Sequence, residues 1–174
     1  MIFIKKQHFI FLQKNTFHKH LKVIPYSTCH TPYRLKNMNN TNTQFQLITA
    51  ARNMQKQALC TYSNFAVGAA LISSDNIIVG GFNIESASYG LTMCAERVAL
   101  YSALTHGHRH FTHIALVTNT ASFPCGACRQ MLYEFCSDAQ LIIATPTEIV
   151  TSCSLQSLLP HAFAQNDLDI TKKG

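Results

Sequence analysis

Between residues 43 and 163 the apolar residues switch repeatedly between helical and strand spacing, and no other feature of the chain limits its fold so strongly. Phe45, Ile48, Ala51 and the Met54/Ala58 pair recur at helical spacing across 43–59, with Thr43 as a candidate cap. Two strand-like runs follow, FAVGAALIS (65–73) and NIIVGGFNIE (76–85), joined as a hairpin through an Asp-Asn turn. TMCAERVALYSALTHG (92–107) reads as a helix that stops at Gly107, and HIALVTN (113–119) as a buried strand. CGACRQMLYEFC (125–136) is helical and QLIIAT (140–145) is a strand. SLQSLLPHAF (154–163) suggests a last helix broken near Pro160. The order is α-β-β-α-β-α-β. Elements alternating in this way pack as a mixed central sheet between helix layers, a three-layer α-β-α sandwich.

Charge divides the chain. Residues 1–37 hold seven Lys/Arg and no acid, whereas from Met38 onward seven Lys/Arg meet eight Asp/Glu, a net of −1. The overall +6 therefore belongs to the leading segment. The near-neutral remainder gives no support to binding a nucleic-acid polymer. No apolar run approaches the roughly 18–20 residues of a membrane span. Three segments result: a basic extension at 1–42, a folded domain at 43–170 and a tail at 171–174. The extension reads either as a solvated tail or as a mitochondrial transit peptide, although its scarcity of arginine speaks against the latter. The expected location is cytoplasmic, or mitochondrial if 1–42 is a transit peptide.

The seven cysteines (29, 60, 94, 125, 128, 136 and 153) are an odd number, which does not suit a closed disulfide framework. Cys125 and Cys128 open a helix after Pro124. Alone, such a pair is a redox dithiol, half of a zinc site or a coincidence. Cys94 also stands at a helix start, where backbone N–H groups and the helix dipole favour thiolates. Three protein ligands with an open fourth position form the pattern of catalytic zinc. Glu96, two residues past Cys94, is placed to reach water on such a metal without ligating it. Three thiolates make a site electron-rich, and Arg97 and Arg129 are candidates to offset this by donating to cysteine sulfurs. Cys29, Cys60, Cys136 and Cys153 have no motif context. The run THGHRHFTH (105–113) raises a second metal site as an option, but a solvated helix end is the simpler reading.

CAER (94–97) followed by PCGACRQ (124–130) resembles the three-cysteine variant of the small cytidine deaminases. The resemblance continues through YSNFAVGAAL (62–71), GGFNIESASYG (80–90) and LLPHAF (158–163), four motifs in order over roughly 43–168. It implies the cytidine-deaminase-like sandwich and one zinc per subunit on Cys94, Cys125 and Cys128. It implies hydrolytic deamination of cytidine and 2′-deoxycytidine to uridine and 2′-deoxyuridine with release of ammonia, in pyrimidine salvage. Zinc-bound hydroxide would attack C4, with Glu96 shuttling protons to N3 and N4. Phe65 would pack on the base, Asn83 and Glu85 would take the ribose hydroxyls, and the Ala95 amide would meet the pyrimidine edge. Phe163 matches a phenylalanine that reaches a neighbour's site in homotetrameric members. The chain departs from the family in a short loop before PCGAC, in Asn119 where aspartate is common, and in lacking a proline after Tyr89; these touch substrate preference rather than the reaction. The alternatives are a deaminase of a cytosine-nucleoside antibiotic, a polynucleotide deaminase, which the near-neutral domain disfavours, and a non-catalytic zinc-binding module, which has no need of Glu96.

Overall fold

The computed structural model describes residues 33–34 and 40–168. The expectations for the rest of the leading segment and for 171–174 lie outside the described residues. The elements in order are β1 (Tyr33–Arg34), α1 (Asn40–Gln55), β2 (Val67–Ser73), β3 (Ile77–Phe82), α2 (Ala95–Thr105), β4 (Phe111–Thr118), α3 (Gly126–Cys136), β5 (Gln140–Ala144) and β6 (Ile149–Ser154). They build one sheet in the order β1-β3-β2-β4-β5-β6. The β4–β5 pair is parallel and its neighbours are antiparallel, so the sheet is mixed, as expected. The parallel strands β4 and β5 are joined by a crossover through α3, as a parallel pair requires.

Strand alternation sorts the core into two layers. On one face Ala69, Leu71, Val79, Leu116 and Ile143 pack against Ala99 and Leu100 of α2 and Leu132 of α3. On the other, Ala70, Ile72, Val117 and Ile142 pack against Leu47, Ile48 and Ala51 of α1. The helices thus flank the sheet on both sides. Two glycines set how closely they approach. A Cβ at Gly68 would lie 2.0 Å from the Ala51 carbonyl oxygen of α1. A Cβ at Gly81 would lie 2.4 Å from the Ala99 nitrogen and 2.7 Å from the Ala95 oxygen of α2. Both contacts are backbone on backbone, so neither can be relieved by a rotamer change.

The boundaries differ from the sequence reading at informative places. Helix α1 begins at Asn40, so Thr43 lies inside it rather than capping it. It ends at Gln55, before the expected 59, because the chain at Leu59 pairs elsewhere. Leu59 N–H donates to the Asn83 carbonyl at 2.9 Å, and Glu85 N–H donates to the Leu59 carbonyl at 2.8 Å. Strand β3 stops at Phe82, but the chain stays extended and bridges Leu59 and Met93 through Ile84. The hairpin turn carries Asn76 at φ 63°, a conformation that asparagine tolerates. Strand β6 was not foreseen. It is an edge strand whose residues are exposed or half-buried, so apolar alternation is missing. The expected last helix is a single 3-10 turn, Leu155–Leu158, ended by Leu159, whose backbone (φ −143°, ψ 75°) leaves the helical region ahead of Pro160.

The Gly81 contact gives a direct test. Gly81→Ala is expected to destabilise the fold by about 1–3 kcal/mol, through forced movement of α2 from the sheet. Equilibrium denaturation measures this; an unchanged midpoint would show that the close approach carries no such constraint.

Candidate active site

Helices α2 and α3 begin side by side at the end of the sheet where β4 finishes. Cys94 is the N-cap residue of α2 and Cys125 that of α3, each extended in backbone and neither capping its helix with its side chain. Their sulfurs are therefore free of the local capping role that this position usually imposes. Cys128 lies in the first turn of α3, fully buried. The Sγ atoms of all three lie within 4.8 Å of one another, with Cys94 and Cys125 at 3.9 Å. Sulfurs bound tetrahedrally to one zinc at ~2.3 Å would lie roughly 3.8 Å apart. The donor set and its spacing thus fit zinc. Among the described residues this is the one cluster of three or more such side chains able to hold a metal.

Protons are shared unevenly in the cluster. Cys94 is pulled down to about 5 by the hydrogen bond from Cys128, with further help from Arg97 and Cys125 against the cost of burial. Cys128 is raised, because it holds the proton that it donates to Cys94 and because it is buried. Arg97 supplies the expected donation: its Nη2 lies 3.6 Å from Cys94 Sγ. Arg129 goes elsewhere. Its Nε donates to the Pro124 carbonyl at 2.8 Å and its Nη1 to the Leu158 carbonyl at 3.3 Å. It steadies the residue before Cys125 instead of meeting a sulfur, since short-range carbonyls offer the guanidinium better acceptors than a thiol does.

Glu96 is 4% exposed, and burial pushes its carboxyl up to about 7. Its own backbone N–H and Arg97 pull the other way, while the Cys94 charge adds to the rise. A carboxyl balanced near neutrality can both take and give a proton. Ala95, fully buried, begins α2 between Cys94 and Glu96.

A cleft of ≈ 200 Å³ opens onto this centre. It is lined by the buried Glu96 and Asn83 with Cys94 and Cys125, by the apolar Phe65, Leu116 and Phe123, and by Glu85. The cleft therefore joins six of the residues that the sequence singled out. Asn83 is largely committed within the fold: its Oδ1 accepts from Val67 N–H at 2.9 Å and its Nδ2 donates to the Phe65 carbonyl at 2.9 Å. One amide hydrogen is left for a ligand. Glu85 holds the turn at Tyr62–Ser63 and keeps its carboxyl below the usual range, chiefly through the Ser63 hydroxyl. Phe163 is exposed and does not line the cleft of its own chain; Gln130 Nε2 donates to its carbonyl at 2.8 Å. The histidine run is dispersed: His106 and His110 are exposed, and His108 pairs with Asp75 at 3.5 Å.

Sequence reasoning missed Ser63, Thr118 and Gln55. Thr118 Oγ1 accepts from Ser122 N–H at 2.8 Å and shapes the loop before Phe123. Gln55 Nε2 donates to both the Ala66 carbonyl and Asn119 Oδ1, at 3.1 and 3.2 Å, tying α1 to the cleft wall. Ser63 and Gln55 find partners far along the chain, at Glu85 and Asn119, and the Thr118 contact depends on the turn of the loop to Ser122, so no local pattern marks them.

An α/β sandwich with three thiols and a buried carboxyl at paired helix N-termini defines a zinc-dependent deaminase. The comparisons agree. The family described as cytidine and deoxycytidylate deaminase zinc-binding region matches residues 41–145. A probable cytidine deaminase of Dictyostelium discoideum is 42% identical over 124 residues, 70% of this chain and 84% of the relative. A cytidine deaminase of Sporosarcina psychrophila is 40% identical over 126 residues, 71% of this chain and 93% of the relative. The crystal structure of cytidine deaminase from Burkholderia pseudomallei superposes with a TM-score of 0.67 at 42% identity, covering 72% of this chain and all of that one. The chain belongs to the cytidine and deoxycytidylate deaminase family. It is a zinc-dependent hydrolase that deaminates a cytidine-like substrate.

Metal analysis is expected to find one zinc per chain. Cys128→Ala should lose most of it, while Cys60→Ser, outside the cluster, should retain it. Equal zinc in the two variants would contradict the three-sulfur site.

Proposed function

We propose that the enzyme hydrolyses cytidine and 2′-deoxycytidine to uridine and 2′-deoxyuridine, releasing ammonia, within pyrimidine salvage. The observation that carries this reading is the single cleft that joins Glu96 and two of the three thiols at one end to Glu85 at the other. Zinc held by Cys94, Cys125 and Cys128 would supply Lewis acidity that lowers the pKa of water toward neutrality. Glu96 takes the proton of the attacking water and passes it to cytosine N3, then moves the proton of the hydroxyl added at C4 to the departing N4, which leaves as ammonia. Burial of Glu96 supports this role, because a carboxyl held near neutrality exchanges protons in both directions. The Ala95 amide, at the start of α2, faces the pyrimidine edge. Phe65 and Phe123 give the base apolar walls. Glu85 accepts from the sugar hydroxyls, with the remaining Asn83 hydrogen beside it. Arg97 offsets the negative charge of the thiolates, and Arg129 keeps Pro124 in place behind Cys125.

A nucleoside fits better than a nucleotide. Beyond Glu85 the cleft continues into a wider mouth lined by Tyr62, Ser63, Tyr89 and Thr92. Among the described residues no Lys, Arg or His lines either part. A 5′-phosphate would meet a carboxylate and no cation, which is repulsive. A free base would leave Glu85 without its hydroxyl partner and bind poorly.

The rim also argues for assembly. Tyr62 and Tyr89 at the mouth and Phe123 in the cleft wall are exposed. Exposed aromatic residues at the edge of a cleft suit an interaction surface. We read it as the interface of a homotetramer in which Phe163 of one subunit closes the cleft of another. No helix among the described residues is long and apolar enough to cross a membrane. We place the enzyme in the cytoplasm, with a mitochondrial location the outcome if mass spectrometry of the natural protein finds residues 1–42 removed.

Ammonia release tests the reading. Cytidine and deoxycytidine should be turned over, while cytosine, cytidine monophosphate and single-stranded DNA should not. Glu96→Ala should keep its zinc and lose activity by at least about 10²–10⁴-fold. Turnover of a cytosine-nucleoside antibiotic in preference to both nucleosides would assign the alternative function. Native mass spectrometry is expected to give four 19.4 kDa chains; a monomer would contradict the assembly.

A further inference from the structure

We infer that Ser63 is a positioning residue that holds Glu85 in the geometry for binding the sugar hydroxyls. The inference rests on the reading of Glu85 as the group that accepts the sugar hydroxyls. Glu85 lies beyond the end of β3, on a segment pinned by the bridges of Ile84 to Leu59 and Met93. Those bridges fix its backbone and leave its carboxylate at the rim. A carboxylate there is free to rotate unless something holds it, and ordering it upon binding would weaken the complex.

Ser63 and its turn provide that hold. The Ser63 hydroxyl donates to Glu85 Oε1. The backbone N–H groups of Tyr62 and Ser63 donate to Oε2 at 2.8 and 3.1 Å. A carboxylate offers about four acceptor sites; three are filled by this turn, leaving capacity for a ligand hydroxyl. The same Ser63 oxygen accepts from Phe65 N–H at 3.0 Å. One hydroxyl therefore bonds the sugar-facing carboxylate and the backbone of the base-facing aromatic. The turn itself is closed by Asn64 N–H to the Cys60 carbonyl at 2.9 Å, with Asn64 at φ 57°. Three donors on one carboxylate also keep it ionised and acceptor-only, which suits hydroxyl donors and repels anionic ligands. The backbone donors survive replacement of the Ser63 side chain. The hydroxyl contact does not, so the two contributions separate by mutation.

The test compares cytidine with 2′,3′-dideoxycytidine, which lacks the diol, in wild type, Ser63→Ala and Ser63→Thr. Ser63→Ala is expected to lower kcat/KM for cytidine about tenfold, mainly through KM, the scale of one hydrogen bond to a charged group. For dideoxycytidine the loss should stay within about twofold, so the preference for the diol collapses. Ser63→Thr, which keeps the hydroxyl, should restore cytidine turnover to within about twofold of wild type. Zinc content and melting temperature, measured alongside, should match wild type in both variants. Equal losses on both substrates, an unchanged KM for cytidine in Ser63→Ala, or a Ser63→Thr variant as impaired as Ser63→Ala would each overturn the inference. Wild-type protein inactive on every nucleoside would overturn the functional reading, and this inference with it; active wild type with an unaltered diol preference in Ser63→Ala overturns the inference alone.

Discussion

Two helix N-termini meet at one end of the sheet, and the working parts of the molecule depend on that meeting. Cys94 caps α2 and Cys125 caps α3 without using their side chains as caps, so both sulfurs project into the shared space between the helices. Unpaired backbone N–H groups and aligned peptide dipoles make that space favourable for anionic sulfur. The seat of α2 is set by backbone contact with Gly81, and the seat of α3 by Leu132 and Cys136 in the same core layer. Tight packing is thereby converted into the sulfur spacing that a tetrahedral ion requires. Glu96 follows from the same arrangement. Starting α2 at Ala95 places residue 96 in the first turn, buried beside the metal ligands but not among them.

The zinc ligands, Glu96 and the helix–strand order were legible because each is written in local spacing. C-x-E and P-C-x-x-C carry their geometry within one helix start, and amphipathic periods name the elements around them. What could not be read depends on contacts between distant segments. Leu59 fell at the end of the expected helix 43–59, yet its backbone pairs with residues 83 and 85 instead of continuing α1. Strand β6 is held by pairing with β5 and buries too little to leave a pattern. Arg129 sits beside Cys128 in sequence and was expected to face sulfur. The helix turns its side chain toward the Pro124 and Leu158 carbonyls instead. Ser63 and Gln55 are ordinary polar residues until the chain brings Glu85 and Asn119 to them.

The cleft divides its labour between two ends with different chemistry. The inner end is buried, and desolvation raises Glu96 to about 7, where a carboxyl can both take and give a proton. The outer end is exposed and holds a fixed charge, with Glu85 lowered by hydrogen bonds that favour its ionised form. Environment alone thus sets two glutamates of one cleft apart, one raised toward neutrality and the other held ionised. The aromatic walls between them carry no charge, so orientation of a substrate is decided at the ends.

An open zinc centre with three thiolates distinguishes a deaminase from a closed structural zinc site, and the coordination shell reports it directly. X-ray absorption at the zinc edge of the purified, metal-loaded enzyme measures that shell. Three sulfur scatterers at ~2.3 Å and one lighter scatterer at ~2.0 Å are expected. Four sulfurs, which would recruit another cysteine and close the site, or a shell dominated by nitrogen, would contradict the catalytic centre described.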